Sequence, residues 1–127
     1  MRAFSLIEVM IASAMLGIGL AALVTAIGTA SSLGSHQERV TAALHLAEGQ
    51  MEELLLRFPD APDLRTGTAH GPLGFTSAGE RTTSKPYYTV TWQTSPGPIA
   101  RTRRLEVTIS WLEGVRAQTL TLASHRS

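Results

Sequence analysis

Residues suited to catalytic or metal chemistry are few in this chain of 127 residues and are far apart along it. The chain contains no cysteine, which excludes thiolate nucleophiles, thiolate metal sites and disulfides within it. Its histidines are His36, His45, His70 and His125. His45 and Glu48 are three residues apart on a predicted helix, but a carboxylate metal site needs further acidic ligands from other helices. We therefore predict a solvated helix face there, and no metal site.

Acidic residues in a Gly- and Pro-rich segment are the next candidates. Asp60, Asp63 and Glu80 supply the hard oxygen ligands that Ca²⁺ takes, but their spacing matches no calcium-binding loop. The sequence shows no glycine-rich phosphate loop, nucleophile elbow or catalytic-triad order. It predicts neither an enzyme nor a cofactor.

Basic residues concentrate in the second half of the chain. Residues 1–63 hold seven acids against three bases, and residues 64–127 hold three acids against eight bases. Arg101, Arg103 and Arg104 are the densest group, and on an outward face they could hold nucleic-acid phosphates without sequence preference. The alternatives, which the sequence favours, are a solvated strand edge or a surface complementary to an acidic neighbouring subunit.

Glu8 is unusual because it lies within an apolar run that begins at Phe4. From Val9 to Ser35 there is no charged or titratable side chain, and at about 1.5 Å per helical residue this run can cross a bilayer core of about 30 Å. An acidic side chain near the bilayer centre costs roughly 2.5–3.5 kcal/mol. Glu8 therefore either has a partner, for which an α-amino group is the natural choice, or lies at the headgroup level.

The segment Ala3-Phe4-Ser5-Leu6-Ile7-Glu8-Val9 resembles the prepilin cleavage and assembly motif of the type IV filament superfamily. This superfamily comprises type IV pilins and the pseudopilins of type II secretion. The resemblance implies that a prepilin peptidase cuts between Ala3 and Phe4, and that Phe4 is then N-methylated. It also implies that Glu8 pairs with the N-terminal amine of a neighbouring subunit. The chain departs from the family in having Ala3 where Gly is usual, and in a short leader with one basic residue.

Small residues within the apolar run are expected to matter for packing, since they let helices approach closely in lipid. We predict Gly17 and Gly19 as packing positions in a filament core. A secretory signal peptide is disfavoured, because its apolar region normally spans about 7–15 residues. The resemblance implies a single-pass inner-membrane protein with a periplasmic head, which later moves to a filament tip.

Helical periodicity resumes after the apolar run. A single stripe is predicted from Val40, Leu44, Ala47, Met51, Leu54 and Phe58. Ser35, with Glu38 three residues on, has the capping-box pattern, which allows a kink or break near Ser32–Ser35. Pro59 is expected to stop the helix.

The remainder is predicted to be a loop followed by strands. Residues 59–86 are rich in Gly, Pro, Ser and Thr and show no sustained period. Apolar and polar residues then alternate with a period of two, as in strands with one apolar face. The apolar residues of this pattern are Tyr88, Val90, Trp92, Leu105, Val107, Ile109 and Trp111. A hairpin at Glu113-Gly114 is predicted to lead into Val115–Ala123. In that strand the apolar phase slips between Ala117 and Leu120, which suggests a bulge or an end of burial.

These patterns predict an α+β, pilin-like fold in which a long N-terminal helix packs on an antiparallel sheet of about three strands. The expected divisions are a leader at 1–3, a transmembrane and filament-core helix at 4–30, an amphipathic continuation at 31–58, and a loop with a β head at 59–127.

The run from Leu46 to Leu54 resembles the helix of minor pseudopilin I and of minor pilin V. This resemblance implies a minor pilin at the tip of a type IV pilus that primes assembly, or else a minor pseudopilin of a type II secretion system. The implied partners are other minor subunits, the major subunit, the prepilin peptidase and the inner-membrane assembly platform. Two alternatives are a DNA- or surface-binding adhesin head on the same anchor, and a plain single-span membrane protein.

Overall fold

One long α-helix and one antiparallel sheet form most of the regular structure. The computed structural model describes residues 3–57 and 61–127, apart from the side chain of Asp63. The elements are α1 (Leu6–Leu56), a 3-10 turn (Pro62–Leu64), β1 (Ala69–Phe75), β2 (Arg81–Thr82), β3 (Tyr88–Pro96), β4 (Arg103–Glu113) and β5 (Arg116–Arg126). The chain divides into two compact units, an N-terminal unit (Met1–Glu38) and a sheet unit (Arg39–Ser127). The predicted α+β class is confirmed.

The N-terminal part of α1 is apolar and exposed within the single chain. Its most apolar stretch of 18 residues has a mean hydropathy of 2.2 and no buried residue. The hydroxyls of Ser13, Thr25 and Thr29 bond to carbonyls of the preceding helical turn, at 2.9, 2.9 and 3.0 Å. Because lipid offers no hydrogen bonds, side chains satisfied in this way suit a bilayer. By length and composition the helix fits a single-pass membrane anchor.

α1 passes without interruption through Ser32–Ser35, so the break allowed by the sequence does not occur in this described segment. The Ser32 hydroxyl donates to the Thr29 carbonyl at 2.9 Å, and the Ser35 hydroxyl donates to the Ser32 carbonyl at 3.1 Å. Both serines therefore bond back onto the helix instead of capping a new one. The helix ends at Leu56, close to the predicted stop, while Phe58 and Pro59 lie outside the described residues.

The strand order is β2-β1-β3-β4-β5. β4 and β5 pair without a register shift from Arg103↔Arg126 to Glu113↔Arg116, so the bulge predicted in the last strand is wrong. Ala117 simply belongs to the outward face of β5, opposite to the face that carries Leu120. The two-residue turn is Gly114-Val115, one residue later than predicted. Gly114 adopts φ 64° there, which glycine tolerates well.

Two strands occur within the segment that was predicted to be a loop. β1 pairs with β3, with a register shift between His70 and Leu73, and the two-residue β2 pairs with Gly74 and Phe75 of β1. The sheet therefore has five strands instead of about three. β1 lacks the β-branched residues that mark strands, and its Gly71 and Pro72 fall at the irregularity, where such residues are tolerated.

The core of the sheet unit lies between the C-terminal half of α1 and the inner faces of β3 and β4. The alternation predicted for both strands is confirmed, since all of its inward residues are at least nine-tenths buried. The helical stripe needs correction. Leu44 is 37% exposed, and Ala43 and Gln50 are buried instead, together with Ala47, Met51 and Leu54.

Candidate functional sites

The segment before α1 is where the sequence predicts proteolytic processing. Ala3 and Phe4 are exposed and have no regular secondary structure, and the Phe4 side chain is 83% exposed. An exposed non-helical peptide bond is a geometry that a protease can reach. Cleavage between Ala3 and Phe4 remains a prediction, and Met1 and Arg2 lie outside the described residues.

Glu8 takes part in a capping box at the start of α1. The Ser5 backbone N–H donates to Glu8 Oε2 at 2.9 Å, and the Glu8 backbone N–H donates to Ser5 Oγ at 3.3 Å. The Glu8 carboxylate thus satisfies the Ser5 N–H, and the Glu8 N–H is shared between Ser5 Oγ and the Ser5 carbonyl, which it meets at 3.0 Å. The carboxylate also lies in the first turn of α1, where acidic side chains stabilise a helix. The Ser-x-x-Glu signature was present in the sequence, but sequence reasoning placed a capping box at Ser35 and Glu38 instead.

Gly17 and Gly19 lie on the exposed apolar part of α1. A Cβ added to either residue would meet nothing within 4 Å in this chain. Contacts within this chain therefore do not limit the size of either residue, and their packing role in a filament core remains a prediction.

The three arginines predicted as a patch do not form one group in the structure. Arg104 pairs with Glu106 at 2.7 Å on the outer face of β4. Arg101 and Arg103 instead line a cavity together with Arg126 of β5. The structure thus brings together Arg101 and Arg103 but not Arg104. The nucleic-acid patch of all three residues remains a prediction.

This arginine-rimmed cavity has a volume of about 160 Å³. Besides Arg101, Arg103 and Arg126, its lining residues are Leu54, Leu64, Thr94, Leu105 and the C-terminal Ser127. Thr94 is 2% exposed, and its hydroxyl has no hydrogen-bond partner. Sequence reasoning missed the cavity because Arg126 and Thr94 reach it only through strand pairing.

The metal candidates are not gathered by the fold. Nδ1 of His45 lies 3.7 Å from Glu48 on an exposed helix face, and the His70 ring stacks on Trp92 with centroids 6.1 Å apart. Among the residues that the structure describes, no group of three or more His, Asp or Glu side chains could hold a metal ion. Asp60 and the side chain of Asp63, two of the acidic residues considered as calcium ligands, lie outside the described residues.

Comparison with known proteins identifies one segment. Residues 1–24 match the family model described as the prokaryotic N-terminal methylation motif. No curated protein and no solved structure matches the chain. The matched segment contains Ala3, Phe4 and the capping box, and it continues into the apolar part of α1. The chain therefore carries a prokaryotic N-terminal methylation motif, the prepilin-type signal of pilin-like proteins, in its first 24 residues.

Proposed function

We propose that this protein is a minor subunit of a type IV filament machine, incorporated at the filament tip to prime assembly of a type IV pilus. The observation that carries the proposal is the methylation motif at residues 1–24, joined directly to an exposed apolar helix. The same helix continues into a small sheet unit with its own core, as a pilin-like subunit requires. A minor pseudopilin of a type II secretion system is the alternative within the same class.

The proposed mechanism uses the charge of Glu8. In the single chain, the Glu8 carboxylate accepts the Ser5 backbone N–H through one oxygen, Oε2. A carboxylate has two oxygens that accept hydrogen bonds, so this bond leaves capacity for the N-terminal amine of a neighbouring subunit. Pairing the two charges lowers the cost of moving them together through an apolar environment. The apolar part of α1 then passes from the bilayer into the filament core.

The capping box allows the charge of Glu8 to be separated from its structural role. Glu8→Gln keeps a capping-box side chain but removes the charge, since Gln also serves at this position. Ser5→Ala removes the capping hydroxyl and keeps the charge, at a cost of about 1 kcal/mol in helix stability. We expect Glu8→Gln to fail in assembly and Ser5→Ala to assemble.

The experiment expresses wild type and both variants together with the prepilin peptidase and candidate partner subunits. Intact mass is measured, and incorporation into filaments or tip complexes is quantified. The proposal predicts a wild-type chain that begins at a methylated Phe4. Retention of Met1 together with normal behaviour of Glu8→Gln would show that the chain is only an anchored domain.

A deletion strain separates the two filament systems. The proposal predicts that surface pili are lost while type II secretion continues, and that the pili return when the wild-type chain is supplied. Loss of secretion with normal piliation would assign the chain to the secretion system instead.

A further inference from the structure

The two edges of the sheet differ in length and in protection. β2 forms one edge and has two residues, whereas β5 forms the other edge and runs from Arg116 to Arg126. Natural proteins protect an edge by shortening it or by adding proline, a bulge or charges. β5 pairs with β4 without a register shift, and residues 117–124 contain no proline and no charged side chain. The β5 edge is therefore long and unprotected along its middle.

The turn before β5 fixes which backbone groups face this edge. In a two-residue turn, the N–H of the residue after the turn bonds to the C=O of the residue before it, so Arg116 bonds to Glu113 of β4. Neighbouring residues of an antiparallel strand direct their N–H and C=O groups to opposite sides. The groups that face away from β4 are therefore those of Ala117, Thr119, Thr121, Ala123 and His125. In the described part of the chain, no other strand pairs with β5 and no loop backbone group bonds to these residues.

The inner face beside this edge is only half covered. Leu120 and Leu122 pack against the core of the sheet unit, but both are half-buried. A further strand paired with β5 would place its own side chains beside theirs, because residues opposite each other on paired strands share a face. Apolar residues at those positions would extend the cover of both leucines, and this burial would stabilise the complex.

Arg116 adds a charge requirement at the start of the edge. Its side chain is exposed, and β5 contains no acidic residue. Glu113, opposite Arg116 on β4, forms an ion pair with Arg39 at 2.8 Å. An acidic residue on an added strand, opposite Arg116, would form a favourable cross-strand pair.

A second copy of this chain does not suit the edge. Antiparallel pairing of β5 with its own copy requires a two-fold axis perpendicular to the sheet, and this axis reverses the direction of α1 in the copy. Because α1 is one continuous helix, the apolar N-terminal parts of the two helices would then point in opposite directions. Two copies anchored in one bilayer must instead run the same way. The occupant is therefore a segment of another protein.

We propose that the β5 edge binds an extended segment of a different protein, which adds a further strand to the sheet. The segment alternates apolar residues, which lie beside Leu120 and Leu122, with polar or β-branched residues, which lie beside Thr119 and Thr121. It carries an acidic residue opposite Arg116. The outward-facing backbone groups of β5 provide affinity, and the alternating side chains provide specificity. The proposal concerns the sheet unit alone and holds whether or not the chain enters a filament.

The test uses the full chain in zwitterionic detergent micelles and follows amide hydrogen exchange by NMR. The probe is a blocked synthetic peptide in which Val and Thr alternate between a glutamate at each end. In the free chain, the amides of Thr119, Thr121 and Ala123 should exchange faster than those of Leu120 and Leu122, which bond to β4. Saturating peptide is expected to slow exchange at the first three positions by about tenfold or more, and to affect the other two much less.

A matched peptide separates backbone pairing from side-chain contact. It has the same sequence but carries N-methyl groups on the backbone nitrogens that would face β5. This peptide keeps every side chain and loses the donors, so we expect it to give no slowing.

Two variants test the contacts, and a third serves as a matched control. Thr121→Pro removes an N–H that faces the edge without removing a bond to β4, and edge strands accept proline at such positions. We expect it to abolish peptide binding. Thr121→Val loses the hydroxyl that lies 3.2 Å from Thr108 Oγ1 but keeps the N–H, and it should bind the peptide like wild type. Arg116→Gln is expected to weaken binding about two- to fivefold, the loss typical of a cross-strand ion pair.

Unchanged exchange at Thr119 and Thr121 in the presence of the peptide, or equal slowing by the N-methylated peptide, would overturn the proposal. Because these comparisons use the wild-type chain, they hold even if Thr121→Pro fails to fold. Protection of the same amides without peptide, increasing with protein concentration, would also overturn the proposal, since a second copy would then occupy the edge.

Discussion

Tyr88 joins α1 to the sheet by a hydrogen bond as well as by packing. Its side chain is 2% exposed, and its hydroxyl donates to the Arg39 carbonyl at 3.2 Å. The Arg39 side chain in turn pairs with Glu113 at the end of β4, at 2.8 Å. Burial, followed by the nearby Tyr87, raises the pKa of Tyr88 above its ordinary value. The phenol therefore stays neutral and remains a donor at physiological pH.

The raised pKa of Tyr88 predicts a loss of stability in alkali. Because the folded state holds this proton more tightly than the unfolded state, the stabilisation is complete below the ordinary pKa of about 10 and is lost as pH rises through the raised value. Tyr88→Phe should cost about 1 kcal/mol at neutral pH through the lost hydrogen bond, and should flatten the alkaline decline. The measurement is the thermal unfolding midpoint against pH.

Tyr87→Phe is the control for this titration, because it leaves the Tyr88 hydroxyl and its bond to Arg39 in place. The alkaline decline should persist in this variant. If Tyr87→Phe flattens the curve as much as Tyr88→Phe does, the assignment to Tyr88 is wrong.

The two parts of α1 follow different packing rules. In the N-terminal unit the large apolar side chains are exposed, whereas in the sheet unit the buried helix positions include the small residues Ala43 and Ala47. Ala43, Ala47 and Leu54 are spaced by four and seven residues, which places them on one face of the helix. Ala43 is therefore buried with this face, and Leu44, one residue further on, is not.

Leu54 and Leu44 form a matched pair for testing this packing. Both were predicted on the buried stripe, but Leu54 is 0% exposed and Leu44 is 37% exposed. Leu54→Ala is expected to cost about 2–5 kcal/mol through lost burial and a residual cavity, whereas Leu44→Ala should cost less than about 1 kcal/mol. Thermal or chemical unfolding of the full chain in micelles measures both, and equal losses would contradict the observed helix face.

The chain as a whole combines a unit suited to lipid with a unit that has its own core. Ile18, which is 72% exposed, lies in the middle of the apolar run, where a charged side chain costs roughly 2.5–3.5 kcal/mol. Ile18→Lys should therefore lower, at least severalfold, the fraction of protein that remains in membranes after alkaline extraction.

Ile18→Leu controls for the change of side chain and should stay in the membrane like wild type. Because Ile18 lies outside the core of the sheet unit, Ile18→Lys should leave that unit's thermal midpoint unchanged. Full retention of Ile18→Lys in membranes would show that the apolar run is not the anchor.

The amino-acid sequence alone determined the features that depend on near neighbours along the chain. The apolar run after Glu8, the alternation in β3 and β4 and the motif at residues 1–24 can all be read locally, because one helix or strand imposes its own period on its residues. Tertiary contacts decided the rest. β1 is a strand because β3 pairs with it, despite its Gly and Pro residues. Arg103 and Arg126 line one cavity because they pair directly across β4 and β5, and a local pattern carries no information about such distant partners.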